Sequence, residues 1–415
     1  NNQVKSLSPY FLPLTSEPAK WTSLKEGGYQ FPESIHWYFI KSDKRKAKSI
    51  YESCDSLGTA FDAASRLQSV PFSVNKTILE VVTKCLKDNI PLRSIKMLSK
   101  DNSLGHPKDT LGYRRSQAKK HRERIKLMPS VIKTANLVDI ATRFKDNPSI
   151  YFPVQADFRG RLYYTTSLSP QGADLAKGLL EFSNPSTVQG NEHWFLIGGA
   201  NAYGIKGSYD DRQEWILAHE KNILQTADDP IGCRSFWEEA SDPLPFLAWC
   251  FEFGNWITNR HTFQTRLPVR LDHTASGLQI VALLKQDEEL MRLTNLVHAD
   301  EPSDIYTVIL DKLKAKLLHS SRPESHAWRV DRKLIKLMTV SYMYGGTAFG
   351  LERTVVSWYT ETDQDVFGRE IYKECRLFIQ LFLEALNEVT PTPAKFIAET
   401  HQDQGDELLS WNSPS

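Results

Sequence analysis

The stretch LPVRLDHTASGLQIVALL, residues 267–284, opens on an extended apolar segment that ends in one carboxylate, Asp272. Small and hydroxyl residues follow, and then a second apolar run. The pattern reads as a strand handing over to a helix. Two chemistries suit an Asp at that junction. Asp is a good N-cap and would serve a helix starting near His273. It is also an apt ligand for Mg²⁺, a hard cation commonly held by one or two carboxylates together with substrate phosphates. Thr274, Ala275, Ser276 and Gly277 leave space for a bulky anionic ligand. The stretch by itself does not choose between the two.

With 415 residues the chain exceeds what one core organises, so several lobes are expected. Its 51 Lys and Arg against 50 Asp and Glu leave a formal charge of +1. A general polyanion field is therefore excluded, and any nucleic-acid surface has to be a local patch. The five cysteines (Cys54, Cys85, Cys233, Cys250, Cys375) show no CxxC spacing, which suits a reducing compartment and argues against a structural metal. No run approaches the ~18 apolar residues of a membrane span. The start, NNQVKSLSPYFLPL, lacks the plan of a signal peptide. The expectation is a cytoplasmic protein with no membrane partner.

Outward from residues 267–284, the chain sorts into four parts. Residues 1–45 are rich in Pro, Gly and aromatics and read as irregular polypeptide packed on something larger. Residues 46–148 are mostly helical in pattern, from AFDAASRLQSVPF to RRSQAKKHRERIKLMPSVIKTANLVDIATRF. Residues 149–285 are mixed: SIYFPVQADFRGRLYYTTS predicts a hairpin around a tight D-F-R-G-R turn. DLAKGLLEFS and DRQEWILAHEKNILQTA predict helices, and DPLPFLAWCFEFGNWI predicts a buried one. Residues 286–415 are chiefly helical, through SDIYTVILDKLKAKLL, RVDRKLIKLMTVSYMYGG and EIYKECRLFIQLFLEALNEV.

Three further motifs bear on chemistry. The run RRSQAKKHRERIK, residues 114–126, is either a solvated helix face or a phosphate-binding stripe. In Asp157-Phe158-Arg159-Gly160-Arg161, two guanidinium forks flank a glycine, which fits phosphate contact as well as a hairpin paired to local acids. On a helix, Arg332 and Lys336 share a face about 6 Å apart, and Tyr344 follows after roughly 12 Å of rise. That span is comparable to a nucleoside triphosphate from its terminal phosphate to its sugar. Gly345 and Gly346 stop the helix where a nucleotide could come close. The plain alternative is two surface cations and an ordinary helix-end aromatic.

Together these segments resemble the single-subunit DNA-dependent RNA polymerases of the bacteriophage and mitochondrial type. DFRGR with LSPQGADLAKGLLEF matches the family's D-x-R-G-R block, and LDHTASGLQ its first metal-binding Asp motif. RKLIKLMTVSYMYGGTAFG matches its fingers helix with R-x3-K-x7-Y-G spacing. The resemblance runs from PAKWTSLKEGGYQ onward. It implies an α+β, predominantly helical right hand: 1–45 the end of an N-terminal domain, 46–148 a helical thumb region, 149–285 a palm with a small antiparallel sheet, and 286–415 the fingers. It implies DNA-templated RNA synthesis from NTPs with two Mg²⁺ ions, in the host cytoplasm for a phage protein.

Residue by residue, the resemblance makes Asp272 the ligand of both ions, helped by the backbone carbonyl of His273, where the family has Gly. Arg332 and Lys336 would grip the triphosphate, with Lys336 assisting pyrophosphate departure. Tyr344 would sense the ribose 2′-hydroxyl beside Gly345, and Tyr306 would lie near the same pocket. Arg159, Arg161 and Lys177 would hold the template and the hybrid, bordered by Ser276 and Gly277. The family's later H-D-S type motif, with its second catalytic Asp, has no counterpart here. Asp403 in HQDQGDELLSWNSPS lacks an alternating apolar frame and reads as solvated loop. The expectation is the larger part of a split heterodimeric enzyme, incomplete at the C-terminal palm. Its second polypeptide carries the remaining palm motif, and a promoter-melting or single-strand-binding factor is a further partner. A truncated chain explains the same departure. Two other readings stay open: a catalytically silent nucleic-acid-binding subunit, and a related template-directed DNA polymerase.

Overall fold

The computed structural model describes residues 11–30, 37–41, 57–97, 111–157, 161–271, 273–297, 299, 302–320, 328–343, 345–361 and 371–402. The chain divides into two compact units, Asn1–Arg270 and Leu271–Ser415. The described residues are mostly helical with small sheets of two and three strands, an α+β architecture. Among them no helix is long and apolar enough to cross a membrane.

In the first unit, the described residues before 42 are irregular, as their Pro and Gly content predicts, apart from isolated bridges and β1 (Ile40–Lys41). Their rings nevertheless build a core of their own. Trp21, Trp37 and Phe39 are buried with Phe61, Val154 and Ala156. Buried indoles need partners: Trp21 Nε1 donates to the Val154 carbonyl at 2.9 Å and Trp37 Nε1 to the Gly27 carbonyl at 2.8 Å.

Next come α1 (Gly58–Gln68), β2 (Phe72–Val74), α2 (Lys76–Asp88) and α3 (Leu111–Phe144). The Asn75 side chain caps α2, accepting from the Ile78 amide at 3.0 Å. The long α3 carries the basic run near its start and Pro129 in its interior. His121, Arg122 and Arg124 are exposed, whereas Leu137, Ile140 and Ala141 near its end are buried.

The predicted hairpin forms from β3 (Val154–Asp157) and β4 (Leu162–Tyr164), paired antiparallel, with β1 parallel on the far edge of β3. The helix predicted over DLAKGLLEFS is only α4 (Asp174–Gly178), because the chain turns into β5 (Leu180–Phe182). Strand β5 pairs antiparallel with β2, Phe182 opposite Phe72. The local apolar spacing suits helix, but burial of both segments in one ladder wins, so SVPF also leaves its predicted helix.

There follow β6 (Ser186–Thr187), α5 (Glu192–Tyr203), α6 (Tyr209–Ala218), α7 (Glu220–Asp228), α8 (Arg234–Trp237), α9 (Pro243–Thr258) and β7 (Gln264–Thr265). Helix α6 starts on a capping box between Ser208 and Asp211. The predicted buried helix is α9, with Phe246, Leu247, Cys250 and Phe253 fully buried in the main core of this unit. Its close neighbours are small. A Cβ at Gly178 would sit 2.6 Å from the Leu244 Cβ, and one at Gly199 would sit 2.4 Å from the Trp249 ring.

The opening stretch departs from its predicted form. The strand is confined to β7, and the described residues from Arg266 to Leu271 are irregular. Pro268 lacks an N–H for a ladder, and the Leu267 amide turns to Thr265 Oγ1 at 3.1 Å. The following helix, α10 (Ser276–Lys285), begins three residues after His273. Its cap position is held by Ala275 at φ 51, with no side-chain cap, and the Leu278 amide reaches the Ala275 carbonyl at 2.8 Å. The helix thus starts later than the sequence pattern predicts.

The second unit continues with α11 (Glu288–Leu293), α12 (Ile305–His319), α13 (Arg332–Met343), α14 (Ala348–Glu361), α15 (Ile371–Val389) and α16 (Pro391–Gln402). Its core joins Leu278, Ile309, Leu313, Leu334, Ile335, Met338, Tyr359, Phe378 and Phe382. On the surface, Lys316 meets Glu388 at 2.6 Å and Glu384 at 3.6 Å, tying α12 to α15.

Candidate active site

Helix α13 buries Leu334, Ile335, Met338 and Thr339, which share one stripe at helical spacing. That choice of face turns Arg332, Lys333 and Lys336 outward. Arg332 and Lys336, one turn apart, both face the ring of Tyr306. The Arg332 Cζ lies 5.3 Å from the ring centroid and the Lys336 Nζ 5.9 Å. Tyr306 sits in the first turn of α12 and is only 4% exposed, so its ring is a fixed platform for two cations. The structure thus brings together three residues that the sequence associates across thirty positions. Lys333, one residue on from Arg332, turns instead to Trp358 on α14, 5.0 Å from its centroid.

Asp304 completes the cluster. It caps α12, accepting from the Tyr306 amide at 3.2 Å and from Thr307 Oγ1 at 2.6 Å. Both of its oxygens also engage Arg332, Nε on one and Nη2 on the other at 3.0 Å. Burial opposes ionisation of Asp304, but the bonds from Arg332 and Thr307 prevail and hold the carboxyl below its ordinary range. Bonding to Asp304 in turn raises Arg332. Sequence reasoning did not single out Asp304. Its one available signal was an Asp directly before the apolar run IYTVIL, an N-cap pattern that says nothing about a partner 28 residues away.

A side-chain amide joins this cluster to the motif that follows Asp272. Asn295, in the left-handed region at φ 59, donates from Nδ2 to Thr274 Oγ1 at 3.0 Å and to the Ser303 carbonyl at 2.9 Å. Its Oδ1 accepts from the Ser303 amide at 2.7 Å. Thr274 is two residues from Asp272 and Ser303 one from Asp304, so the two motifs are tethered within one unit. Of the motif itself, Asp272 lies outside the described residues and His273 is exposed. Ser276 opens α10. A Cβ at Gly277 would meet nothing within 4 Å.

The far end of α13 closes as its glycines predict. The Gly345 amide reaches the Tyr342 carbonyl at 2.9 Å and the Gly346 amide the Ser341 carbonyl at 2.8 Å, the two bonds of a Schellman motif. Gly345 is needed for its φ of 79, and Gly346 for space, since a Cβ there would lie 2.5 Å from the Ser341 carbonyl oxygen. Tyr344 lies outside the described residues.

The other predicted residues belong to the first unit. The Asp157 carboxylate accepts from the Arg161 amide at 3.0 Å, and the Asp157 amide bonds the Arg161 carbonyl at 2.8 Å, closing the hairpin. The Arg161 residue is exposed. Lys177 on α4 pairs with Asp242 at 3.0 Å, before the first turn of α9. Arg159 and Asp403 lie outside the described residues.

The cation-and-tyrosine platform and the loop that carries Thr274 are thus joined within the second unit by Asn295. Residues 186–400 match the family profile of DNA-dependent RNA polymerase, and the chain belongs to that family. Among curated relatives it is 28% identical to T7 RNA polymerase of Escherichia phage T7, over 75% of this chain and 36% of that protein. It is 28% identical to the DNA-directed RNA polymerase of Enterobacteria phage T3, over 99% of this chain and 53% of that one. It is 27% identical to the mitochondrial DNA-directed RNA polymerase of Schizosaccharomyces pombe, over 88% and 33%. The chain thus spans a third to about half of the length of these relatives.

Proposed function

We propose that the chain carries out DNA-templated RNA synthesis from ribonucleoside triphosphates, as the larger part of a right-hand polymerase. In this reading residues 1–45 end an N-terminal domain, 46–148 form the thumb region, 149–285 the palm and 286–415 the fingers. The observation that carries it is the Asn295 tether, which links the loop after Asp272 to the cluster of Asp304, Tyr306, Arg332 and Lys336.

The donor set at the proposed metal site is all oxygen, the Asp272 carboxylate with the His273 carbonyl, and suits a hard cation with open positions for phosphate oxygens. When bound there, a Mg²⁺ pair lowers the pKa of the attacking 3′-hydroxyl and neutralises charge on the reacting phosphates. The second carboxylate comes from a separate polypeptide or from further sequence of the same one. Arg332 and Lys336 hold the triphosphate by charge-assisted hydrogen bonds, and Lys336 stabilises the departing pyrophosphate. Tyr344, just beyond α13, contacts the ribose 2′-hydroxyl. Arg159, Arg161 and Lys177 contact the template and hybrid backbone, with Lys177 exchanging its Asp242 partner for phosphate. Ser276 and Gly277 border the template strand.

The test is ribonucleotide incorporation on a template–RNA scaffold by the chain together with whatever co-purifies with it. Asp272→Asn is expected to abolish incorporation and leave scaffold binding within about twofold, because it removes a metal ligand without changing phosphate contacts. Persistent incorporation by Asp272→Asn would show that Asp272 is not the ligand.

A further inference from the structure

Arg332 is restrained on two sides. At its edge, Nε and Nη2 are taken by the two oxygens of Asp304. Across its face lies the buried Tyr306 ring, with the centroid 5.3 Å from Cζ. Asp304 is itself anchored by the Tyr306 amide and the Thr307 hydroxyl, so it is a fixed post and no swinging side chain. A guanidinium offers five N–H donors. The fork with Asp304 uses one side of it, and Nη1 has no partner among the described residues. An Arg side chain gives up much rotamer freedom when it is held in one geometry; here much of that freedom is already lost before any anion arrives.

We propose that Asp304 is the positioning residue of the triphosphate site. It holds the Arg332 guanidinium on the Tyr306 face of α13 that Lys336 shares, so that an incoming triphosphate meets two cations already in place. The inference rests on the reading of this cluster as the triphosphate site. Asp304 touches no substrate, and its effect passes entirely through Arg332. Its negative charge also offsets one of the two cations, so the site gains its hold on a polyphosphate from donor geometry more than from net charge.

The experiment measures binding of 2-aminopurine riboside triphosphate, by its fluorescence, to the full chain with a template–RNA scaffold and Mg²⁺ present. Asn is as good an N-cap as Asp, so Asp304→Asn keeps the cap of α12 while losing the charge and the two-oxygen acceptor. Binding is expected to weaken about five- to tenfold in Asp304→Asn, by release of Arg332. In an Arg332→Ala background the same change is expected to have no effect, because the residue it positions is gone. Unchanged affinity in Asp304→Asn, or the same loss in both backgrounds, overturns the inference. Should Asp304→Asn fail to fold, Asp304→Ser keeps a capping oxygen and is judged by the same outcomes. If Arg332→Ala binds as well as the wild type, or the wild type does not bind, the triphosphate reading falls and this inference with it. That result is distinct from a loss seen only at Arg332.

Discussion

Glu181 on β5 is a carboxyl whose surroundings decide its charge. Burial first, and the nearby Glu252 second, push it up from an ordinary 4.5 to about 7, with Arg266 opposing. The fold therefore favours the neutral acid. Its contribution to stability is fully present below the unfolded value and is lost as pH rises through about 7. Thermal unfolding followed between pH 5 and 8 should show stability falling over that window. The loss attributable to Glu181 is on the order of 2 kcal/mol. Glu181→Gln, which cannot ionise, should flatten that part of the profile, and an unchanged slope would assign it to other groups. At the same scale, Asp304 and Asn295 show what single residues reveal in sequence. Each looks like an ordinary cap or turn residue, and the role of each comes from partners 28 and 21 positions away.

Helix α13 shows how an element carries a site. Its apolar stripe of Leu334, Ile335 and Met338 decides which way it rolls, and that roll alone sends Arg332 and Lys336 to the Tyr306 face. This much was legible from RKLIKLMTVSYMYGG, because helical periodicity is local. Leu334→Ala, at a fully buried position, is expected to cost about 2–5 kcal/mol in urea unfolding of the second unit. The opening stretch was less legible. Its strand and its early helix start were both mispredicted, because Pro268 removes a ladder donor and Ala275 takes a left-handed turn that no propensity signals. Similarly, DLAKGLLEFS has helical spacing, yet half of it becomes the partner of β2.

For the whole molecule, charge sets the terms of nucleic-acid contact. A formal +1 over 415 residues gives no overall attraction for DNA, so any affinity has to come from a local patch, for which residues 114–126 on α3 are the candidate. Replacing Arg122, Arg124 and Lys126 together with Gln should weaken scaffold binding uniformly across sequences. The slope of log affinity against log salt should fall by about 0.9 for each duplex phosphate that these side chains neutralise in the wild type. Binding titrations at several salt concentrations check this, and an unchanged slope would make the run a solvated helix face. The two units, Asn1–Arg270 and Leu271–Ser415, each enclose their own apolar core, as the length of the chain predicts.

Taken alone, the sequence determined the helical character of most segments, the DFRGR hairpin, the buried α9, the face of α13 and its glycine stop. All of these follow from spacing, turn chemistry and caps within a few residues. Its motifs also carried the family, through residues whose order survives without any coordinates. Only the tertiary structure decided that Arg332 is forked to Asp304, that Tyr306 lies beneath both cations, and that Asn295 ties the Asp272 loop to them. These are contacts between segments far apart in the chain, made by polar side chains whose partners are chosen by how the helices of the second unit pack.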